Sequence, residues 1–141
     1  MENTFVWNSK VKFIRNEAGF NNLKECLEDE KYLYIGRKGI VFVKNEDGNK
    51  ERFPKNDSIW CNPYKVGKDG DLGEVLFKYK KYIIDKIEKD NLNILELQDK
   101  TLMCWCVEEK KSYDSNCRNI NKCVCHGQIL LRLLKKEIFK N

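Results

Sequence analysis

The amino-acid sequence predicts an α/β fold, namely a single domain with a mainly parallel or mixed central sheet that is flanked by helices. Two observations predict it. Short apolar runs typical of strands alternate with stretches whose apolar residues recur at helical spacing, as in proteins built on mainly parallel sheets. The chain has 141 residues, the size of one domain, so we assign residues 1–141 to a single domain.

The first elements are a strand and a short helix. Residues 11–15 alternate apolar and basic side chains, which predicts a strand, with residues 5–7 as its candidate partner. Residues 20–27 place apolar side chains at helical spacing and predict a short amphipathic helix. Cys26 lies on its apolar face, where we expect it to be part of the core.

A second strand and a hairpin follow. Residues 31–37 predict a strand that ends in Gly36, which permits close approach of the backbone, and in Arg37. The Arg37 guanidinium can bind a carboxylate or a phosphate, although a plain surface arginine is the alternative. Two short runs at residues 40–43 and 50–53 flank an Asp-Gly turn, which is the signal for a hairpin.

The loop of residues 60–67 is rich in aromatic residues and contains an Asn-Pro step. Pro63 keeps Asn62 out of the helical region, so the loop presents an amide that both donates and accepts hydrogen bonds. The alternative is a packed loop that Trp60 and Tyr64 anchor without any contact to a ligand.

The second half of the chain begins with the best-defined helix. Asp71 and Glu74 form a capping-box pattern ahead of an amphipathic stretch. Residues 91–98 predict a helical turn, residues 101–107 a buried central strand, and residues 127–139 a closing helix with lysines near its C-terminus.

Five of the seven cysteines and the single histidine lie between residues 101 and 134. The strand at residues 101–107 ends near Cys104 and Cys106, and the last helix begins at a Cys-His-Gly step. Functional sites of α/β proteins commonly lie at strand ends and helix N-termini. We therefore expect Arg37, Asn62 and this cluster to converge at one end of the sheet.

The composition, 41% hydrophobic and 35% charged, is that of a soluble globular protein. No run of about 18 apolar residues is present, so we expect no membrane span, and residues 1–5 do not resemble a secretory signal. A cytoplasmic location follows, in which cysteines are thiols or metal ligands rather than disulfides. The net charge of +5 comes from 27 basic and 22 acidic residues spread along the chain, so nucleic-acid binding is an alternative and not a conclusion.

Four motifs in this order resemble a known family: Ile35-Gly36-Arg37, Asn62-Pro63-Tyr64, Cys104-Trp105-Cys106 and Cys125-His126-Gly127. The family is domain of unknown function 4326, found in bacteria, phages and viruses, and the resemblance covers about residues 11–134. Its name implies no established activity, so the resemblance supplies a site and little chemistry. Members usually carry an acid after Cys-His-Gly, where this chain has Gln128. Relative to the family, the hairpin around the Asp47-Gly48 turn looks like an insertion. A fainter similarity to domain of unknown function 488 implies, by analogy alone, a single Rossmann-like domain with this inserted hairpin.

One hypothesis for the cluster is a zinc site. Thiolates and an imidazole suit tetrahedral zinc, with the candidate ligands Cys104, Cys106, Cys117, Cys123, Cys125 and His126. Side chains two residues apart on a strand stand roughly 6 to 7 Å apart, so the strand must end or bulge at Trp105 for both neighbours to bind one ion. The usual knuckle spacing is absent.

The other hypothesis is a ligand or catalytic pocket without metal. Cys125 at a helix N-terminus favours the thiolate, and His126 is a candidate base. The backbone amides of Gly127 and Gln128 are candidates to bind a phosphate, with Arg37 and Asn62 completing the pocket. A third interpretation makes Cys104 and Cys106 merely small buried side chains.

The leading expectation is thus a small domain that binds a nucleotide-like or phosphate-bearing ligand, with or without turnover. A zinc-stabilised module that binds nucleic acid or protein is the alternative. A viral or phage effector is the third candidate, since the high lysine, asparagine and isoleucine content is typical of AT-rich genomes of that kind.

Overall fold

A computed structural model describes residues 5–8 as backbone and residues 14–15, 19–105 and 125–140 with their side chains. In chain order the elements are β1 (Phe5–Asn8), α1 (Leu23–Leu27), β2 (Tyr32–Tyr34), β3 (Val41–Lys44), β4 (Lys50–Phe53), α2 (Leu72–Lys89), a 3₁₀ helix (Ile94–Leu97), β5 (Thr101–Cys104) and α3 (His126–Ile138). The protein is therefore a mixed α/β protein. Its finer classification as Rossmann-like stays a prediction.

The central sheet has three parallel strands in the order β1-β5-β2. All four residues of β5 are buried, as expected of a strand that has neighbours on both edges and helices on its faces. Leu102 lies opposite Val6 of β1 and Leu33 of β2, which sets the register of the whole sheet. The buried strand predicted at residues 101–107 is thus present over Thr101–Cys104, and residues 106–107 lie outside the described residues.

Alternate residues of β5 face two separate apolar clusters, because side chains along a strand point to opposite faces in turn. Leu102 and Cys104 pack with buried residues of α2 and α3. Met103 packs on the other face with Cys26 of α1 and with Tyr34. Cys26 is fully buried there, which confirms its predicted place in the core.

Helix α2 begins where its sequence predicts. The Asp71 carboxylate accepts from the Glu74 backbone N–H at 2.9 Å, and the Glu74 carboxylate accepts from the Asp71 N–H at 3.2 Å. This reciprocal pair satisfies two of the backbone donors that a helix N-terminus leaves open. One apolar face of α2, including Val75, Leu76 and Tyr79, is then buried over the sheet.

The predicted hairpin is present as β3 and β4, which pair in antiparallel fashion and form a two-stranded sheet of their own. Gly48 in the connecting turn has a φ of 80°, a conformation that glycine adopts without steric cost.

The strand predicted over residues 11–15 is wrong for the part that the structure describes. Ile14 and Arg15 are helical, while residues 11–13 lie outside the described residues. Ile14 is fully buried beside Met103, and its carbonyl accepts from the Phe20 N–H at 3.1 Å. Burial of one isoleucine has therefore outweighed the local alternation at Ile14, and the described partner of β1 is β5.

Within the described ranges, no helix is both long and apolar enough to cross a lipid bilayer.

Candidate functional site

A cavity of about 530 Å³ opens at the carboxyl ends of β2 and β5, beside the N-terminus of α3. Its volume lies within the range of roughly 300 to 1,000 Å³ that is usual for small-molecule sites. The described residues that line it are Gly36, Arg37, Ile40, Asn62, Tyr64, Lys65, Val66, Leu72, Val75, Leu76, Cys104, Trp105 and His126. Four of the six residues expected to converge are therefore on its wall. Cys125 lies directly behind it, and Cys106 falls outside the described residues.

Arg37 closes one side of the cavity and ties it to the loop of residues 60–67. Its Nε and Nη2 atoms donate to the Asn62 carbonyl at 3.1 and 2.8 Å, and Nη2 also donates to the Tyr64 carbonyl at 2.8 Å. Within the described part of the chain, Nη1 has no hydrogen-bond partner. Arg37 is thus a structural clamp whose remaining N–H groups are free to meet a ligand.

Asn62 has one of its two amide functions occupied. Its side-chain oxygen accepts from the Tyr64 backbone N–H at 2.9 Å, an Asx turn of the kind that asparagine forms before a bend. The packed-loop interpretation also holds in part, since Trp60 is buried in the core and the Tyr64 ring meets Tyr82 edge-on at 6.1 Å. The loop is therefore both anchored and a wall of the cavity.

Tyr34 links β2 to the far wall. Its hydroxyl accepts from the Trp105 indole N–H at 2.9 Å and donates to the Arg37 carbonyl at 2.7 Å. Burial raises the pKa of Tyr34 to about 12, although the hydrogen bond from Trp105 opposes that change. The phenol accordingly remains a donor at any physiological pH. Sequence patterns did not single out Tyr34, because its partners lie far away along the chain.

The side chain of His126 is held by the backbone of Ile35, the residue that follows β2. Its Nε2 atom lies 2.6 Å from the Ile35 carbonyl oxygen, and a carbonyl only accepts, so Nε2 carries the proton. In the neutral ring Nδ1 is then an acceptor, and it faces the Cys125 sulfur at 3.8 Å. The Tyr79 ring stands edge-on to the imidazole at 5.1 Å.

Cys104 and Cys125 meet at the floor of the cavity. Their sulfur atoms are 2.7 Å apart, and the Gly127 N–H donates to the Cys125 sulfur at 3.3 Å. Cys125 is the N-cap of α3, so the helix begins between Cys125 and His126. Because the helix starts between them, the adjacent residues Cys125 and His126 can direct their side chains to the same side, as the sequence analysis of this cluster requires.

The cap of α3 occupies the two amides that were expected to bind a phosphate. The Gly127 N–H points to the Cys125 sulfur, and the Gln128 N–H donates to the Cys125 carbonyl at 3.0 Å. The Gln128 side chain accepts from the Cys125 N–H at 3.1 Å and completes a capping box. Neither residue is among the described residues lining the cavity, so this geometry does not favour a ligand-binding role for Gly127 or Gln128.

The described residues do not form a complete set of zinc ligands. Two thiolates on one tetrahedral zinc ion, each about 2.3 Å from it, stand roughly 3.8 Å apart. The sulfurs of Cys104 and Cys125 are closer, at 2.7 Å, and the described ranges contain no group of three or more residues fit to hold a metal. Cys106, Cys117 and Cys123 lie outside those ranges, so zinc stays a prediction.

Comparison with known proteins gives a family and one relative. The family model described as domain of unknown function 4326 matches residues 21–136. An uncharacterized protein, R718, of Acanthamoeba polyphaga mimivirus is 35% identical over 79 residues, which cover 56% of this chain and 55% of that protein. The chain thus spans about half the length of this relative. No solved structure matches.

Proposed function

The chain belongs to the family called domain of unknown function 4326, and from that premise we propose that its cavity binds a small anionic ligand, a nucleotide or a similar phosphate-bearing molecule. The observation that carries the proposal is the wall of the cavity. It combines cationic, aromatic and apolar side chains, and no carboxylate stands among the described residues that line it.

Position supports the proposal first. In open α/β sheets, ligands bind outside the carboxyl ends of the parallel strands, where loops and helix N-termini meet. The cavity has Gly36 just after β2, Cys104 at the end of β5 and His126 at the start of α3. This placement also suits a Rossmann-like arrangement, which we include in the proposal.

Charge supports it next. Arg37 and Lys65 both line the cavity, and the Lys65 side chain is exposed at its edge. A guanidinium and an ammonium attract phosphate oxygens, and the Arg37 fork is already oriented by the carbonyls that it clamps. Ligand binding therefore requires little further ordering of that side chain, which favours affinity.

The remaining wall suits a flat or apolar group. Tyr64 and Trp105 supply rings, while Val75 and Leu76 are almost fully buried beneath them. Three further lining residues, Ile40, Val66 and Leu72, are exposed apolar side chains, and such a group around one cavity suits a ligand with an apolar part. A base or another ring packed against these residues would be shielded from water while its phosphate met the cations. The predicted catalytic roles of Cys125 and His126 are not needed for this binding.

The test is a binding titration of the full chain against nucleoside monophosphates and diphosphates, with the unphosphorylated nucleosides and inorganic phosphate as comparison ligands. Isothermal calorimetry should show binding of at least one nucleotide, and weaker binding of its nucleoside and of phosphate alone. In the proposed complex the phosphate contacts the cations and the base contacts the aromatic and apolar wall. The nucleoside and phosphate, each lacking one of these contacts, should therefore bind more weakly than the nucleotide.

Two exposed lysines provide a matched control. Lys65 lines the cavity, whereas Lys68, three residues along the same loop, is not among its described lining residues. Lys65→Ala should weaken nucleotide binding about tenfold, the loss of one charge-assisted contact, and Lys68→Ala should leave it unchanged. Equal effects of the two variants, or binding of none of the nucleotides, would contradict the proposal. Strongly salt-dependent binding of nucleic acid in their place would support the alternative module.

A further inference from the structure

The two cysteines at the cavity floor are placed for chemistry that ligand binding does not use. A disulfide requires sulfurs about 2.05 Å apart, so the 2.7 Å between Cys104 and Cys125 leaves roughly 0.7 Å to close. Cys104 ends a strand and Cys125 precedes a helix. The pair is therefore close to the geometry of a bond between the two sulfurs.

The two thiols differ in their access to solvent. Cys104 lines the cavity, and 1% of its surface is exposed there. Cys125 is fully buried and is not among the described lining residues. Of the two thiols, Cys104 is thus the one that a reagent arriving through the cavity meets first.

Polar groups approach the Cys125 sulfur, although this residue, like Cys104, belongs to the apolar cluster beneath the cavity. The Gly127 N–H donates to it at the N-terminus of α3, and His126 Nδ1 lies 3.8 Å away as an acceptor. Cys26 is also buried, but it lies in the other apolar cluster, beside Leu23 and Met103, and does not line the cavity. Cys26 therefore serves as an internal comparison.

We propose that Cys104 and Cys125 form a redox-active dithiol that reduces hydrogen peroxide entering the cavity and closes to a disulfide. The proposal does not depend on the proposed ligand, because it concerns the two sulfurs and a different small molecule.

The reaction balances in two steps. The Cys104 sulfur attacks one peroxide oxygen, an S–O bond forms, the O–O bond breaks, and the departing hydroxide takes the thiol proton to give water. Cys104 is then a sulfenic acid. The Cys125 sulfur attacks Cys104, an S–S bond forms, the S–O bond breaks, and hydroxide leaves with the Cys125 proton as a second water. Two sulfurs are each oxidised by one electron, and the two peroxide oxygens are reduced.

The size of the oxidant follows from the exposure of Cys104. A thiol with 1% of its surface exposed admits a molecule of nearly water size far better than a bulky disulfide. Oxidised glutathione, offered at the same concentration, should therefore react much more slowly than hydrogen peroxide.

The first experiment uses the unmodified sequence. The reduced protein is treated with hydrogen peroxide, the remaining thiols are alkylated, and the tryptic peptides are analysed by mass spectrometry without reduction. Residues 101–110 should appear cross-linked to residues 123–132. Because these peptides also contain Cys106 and Cys123, fragment ions must place the bond between Cys104 and Cys125. Dithiothreitol should reverse it.

Two single variants then test the order of events. In Cys125→Ser, the sulfenic acid on Cys104 has lost the thiol that closes the disulfide, and it should be trapped by dimedone. In Cys104→Ser, the buried Cys125 should yield at least about tenfold less adduct. Cys61→Ser, at a half-buried cysteine that does not line the cavity, should leave the cross-link intact.

A cross-link that joins other cysteines, equal adducts in the two variants, or a protein in which Cys104 and Cys125 stay reduced while Cys26 reacts would overturn the proposal. So would a cross-link that forms only after a chelator has removed a bound metal, because the pair would then be a set of metal ligands. If the protein binds none of the nucleotides but still forms the Cys104–Cys125 cross-link, the proposed ligand is wrong and the dithiol proposal stands.

Discussion

Two nitrogens of the Arg37 guanidinium, Nε and Nη2, donate to the same atom, the backbone carbonyl oxygen of Asn62. The two residues are separated by 25 positions along the chain, and the contact joins the end of β2 to the loop that covers the cavity. The planar fork of arginine makes this double donation possible, and a lysine ammonium cannot reproduce it.

We therefore expect Arg37→Lys to lower the free energy of unfolding by about 2 kcal/mol, since hydrogen bonds from a charged donor are lost while the charge is kept. Urea denaturation measures the change. Arg52→Lys is the matched control, because Arg52 is exposed. Among the described residues its Nη1 donates to the Gly39 carbonyl at 3.1 Å, and its guanidinium lies 4.9 Å from the Phe42 ring centroid. Its effect should stay below about 0.5 kcal/mol. Equal losses for the two variants would show that the clamp contributes nothing.

Gly36 is required for a steric reason. A Cβ atom at this position would lie 2.6 Å from the Tyr34 hydroxyl oxygen, in a region that real Cβ atoms do not occupy. Gly36→Ala should displace Tyr34, break its bonds to Trp105 and Arg37, and destabilise the protein by about 2 kcal/mol.

Gly73 in the first turn of α2 is the control for that substitution. A Cβ there meets only the Asp71 carboxylate, at an ordinary 3.5 Å. Gly73→Ala should raise the free energy of unfolding by up to about 1 kcal/mol, because alanine favours helix. The melting temperature should therefore fall in Gly36→Ala and rise in Gly73→Ala. A lower melting temperature in both variants would contradict the steric explanation.

Alkaline pH should destabilise the protein through Cys26. Burial and the nearby Asp29 carboxylate raise the pKa of the Cys26 thiol from 9.0 to about 11. The folded state holds this proton more tightly than the unfolded state does. Stability from this group is therefore complete below pH 9 and is lost as the pH rises toward about 11.

The measurement is the free energy of unfolding across that pH range, compared with Cys26→Ala. The variant should be less stable at neutral pH, having lost a buried sulfur, and its stability should fall less steeply between pH 9 and about 11. Parallel curves for the two proteins would mean that Cys26 does not carry the effect.

Arg132 destabilises the folded state through one buried, unsatisfied hydrogen-bond donor, and a substitution should remove this effect. Its Nη1 atom is buried and has no hydrogen-bond partner within the described chain, and the side chain shares a small groove with Lys80 and Lys136. Arg132→Met keeps the apolar stem and discards the unsatisfied donor, so it should raise the free energy of unfolding by about 1 kcal/mol. Lys136→Met removes one exposed charge from the same groove and controls for repulsion alone. A stabilisation no larger than that of the control would refute the role assigned to the buried donor.

Local sequence was a good guide wherever neighbours along the chain decide the structure. The capping box at Asp71 and Glu74, the turn at Gly48 and the helix start after Cys125 each depend on atoms a few residues apart. The same logic failed at Ile14, whose burial against Met103 depends on a strand nearly ninety positions away. An alternating pattern does not reveal which distant surface a side chain will meet.

By itself, the sequence determined the mixed α/β class and the family, because strand ends and helix starts are encoded locally. It predicted a convergence of motifs, which the structure shows for Arg37, Asn62, Cys104 and His126. Only the tertiary structure decided what each group does there. In the folded protein, the Arg37 guanidinium and His126 Nε2 donate mainly to backbone carbonyls. Gly127 and Gln128 take part in a helix cap, and the sulfurs of Cys104 and Cys125 lie together. A donor bonds to the acceptor nearest in space, and nearness between distant segments is established by packing.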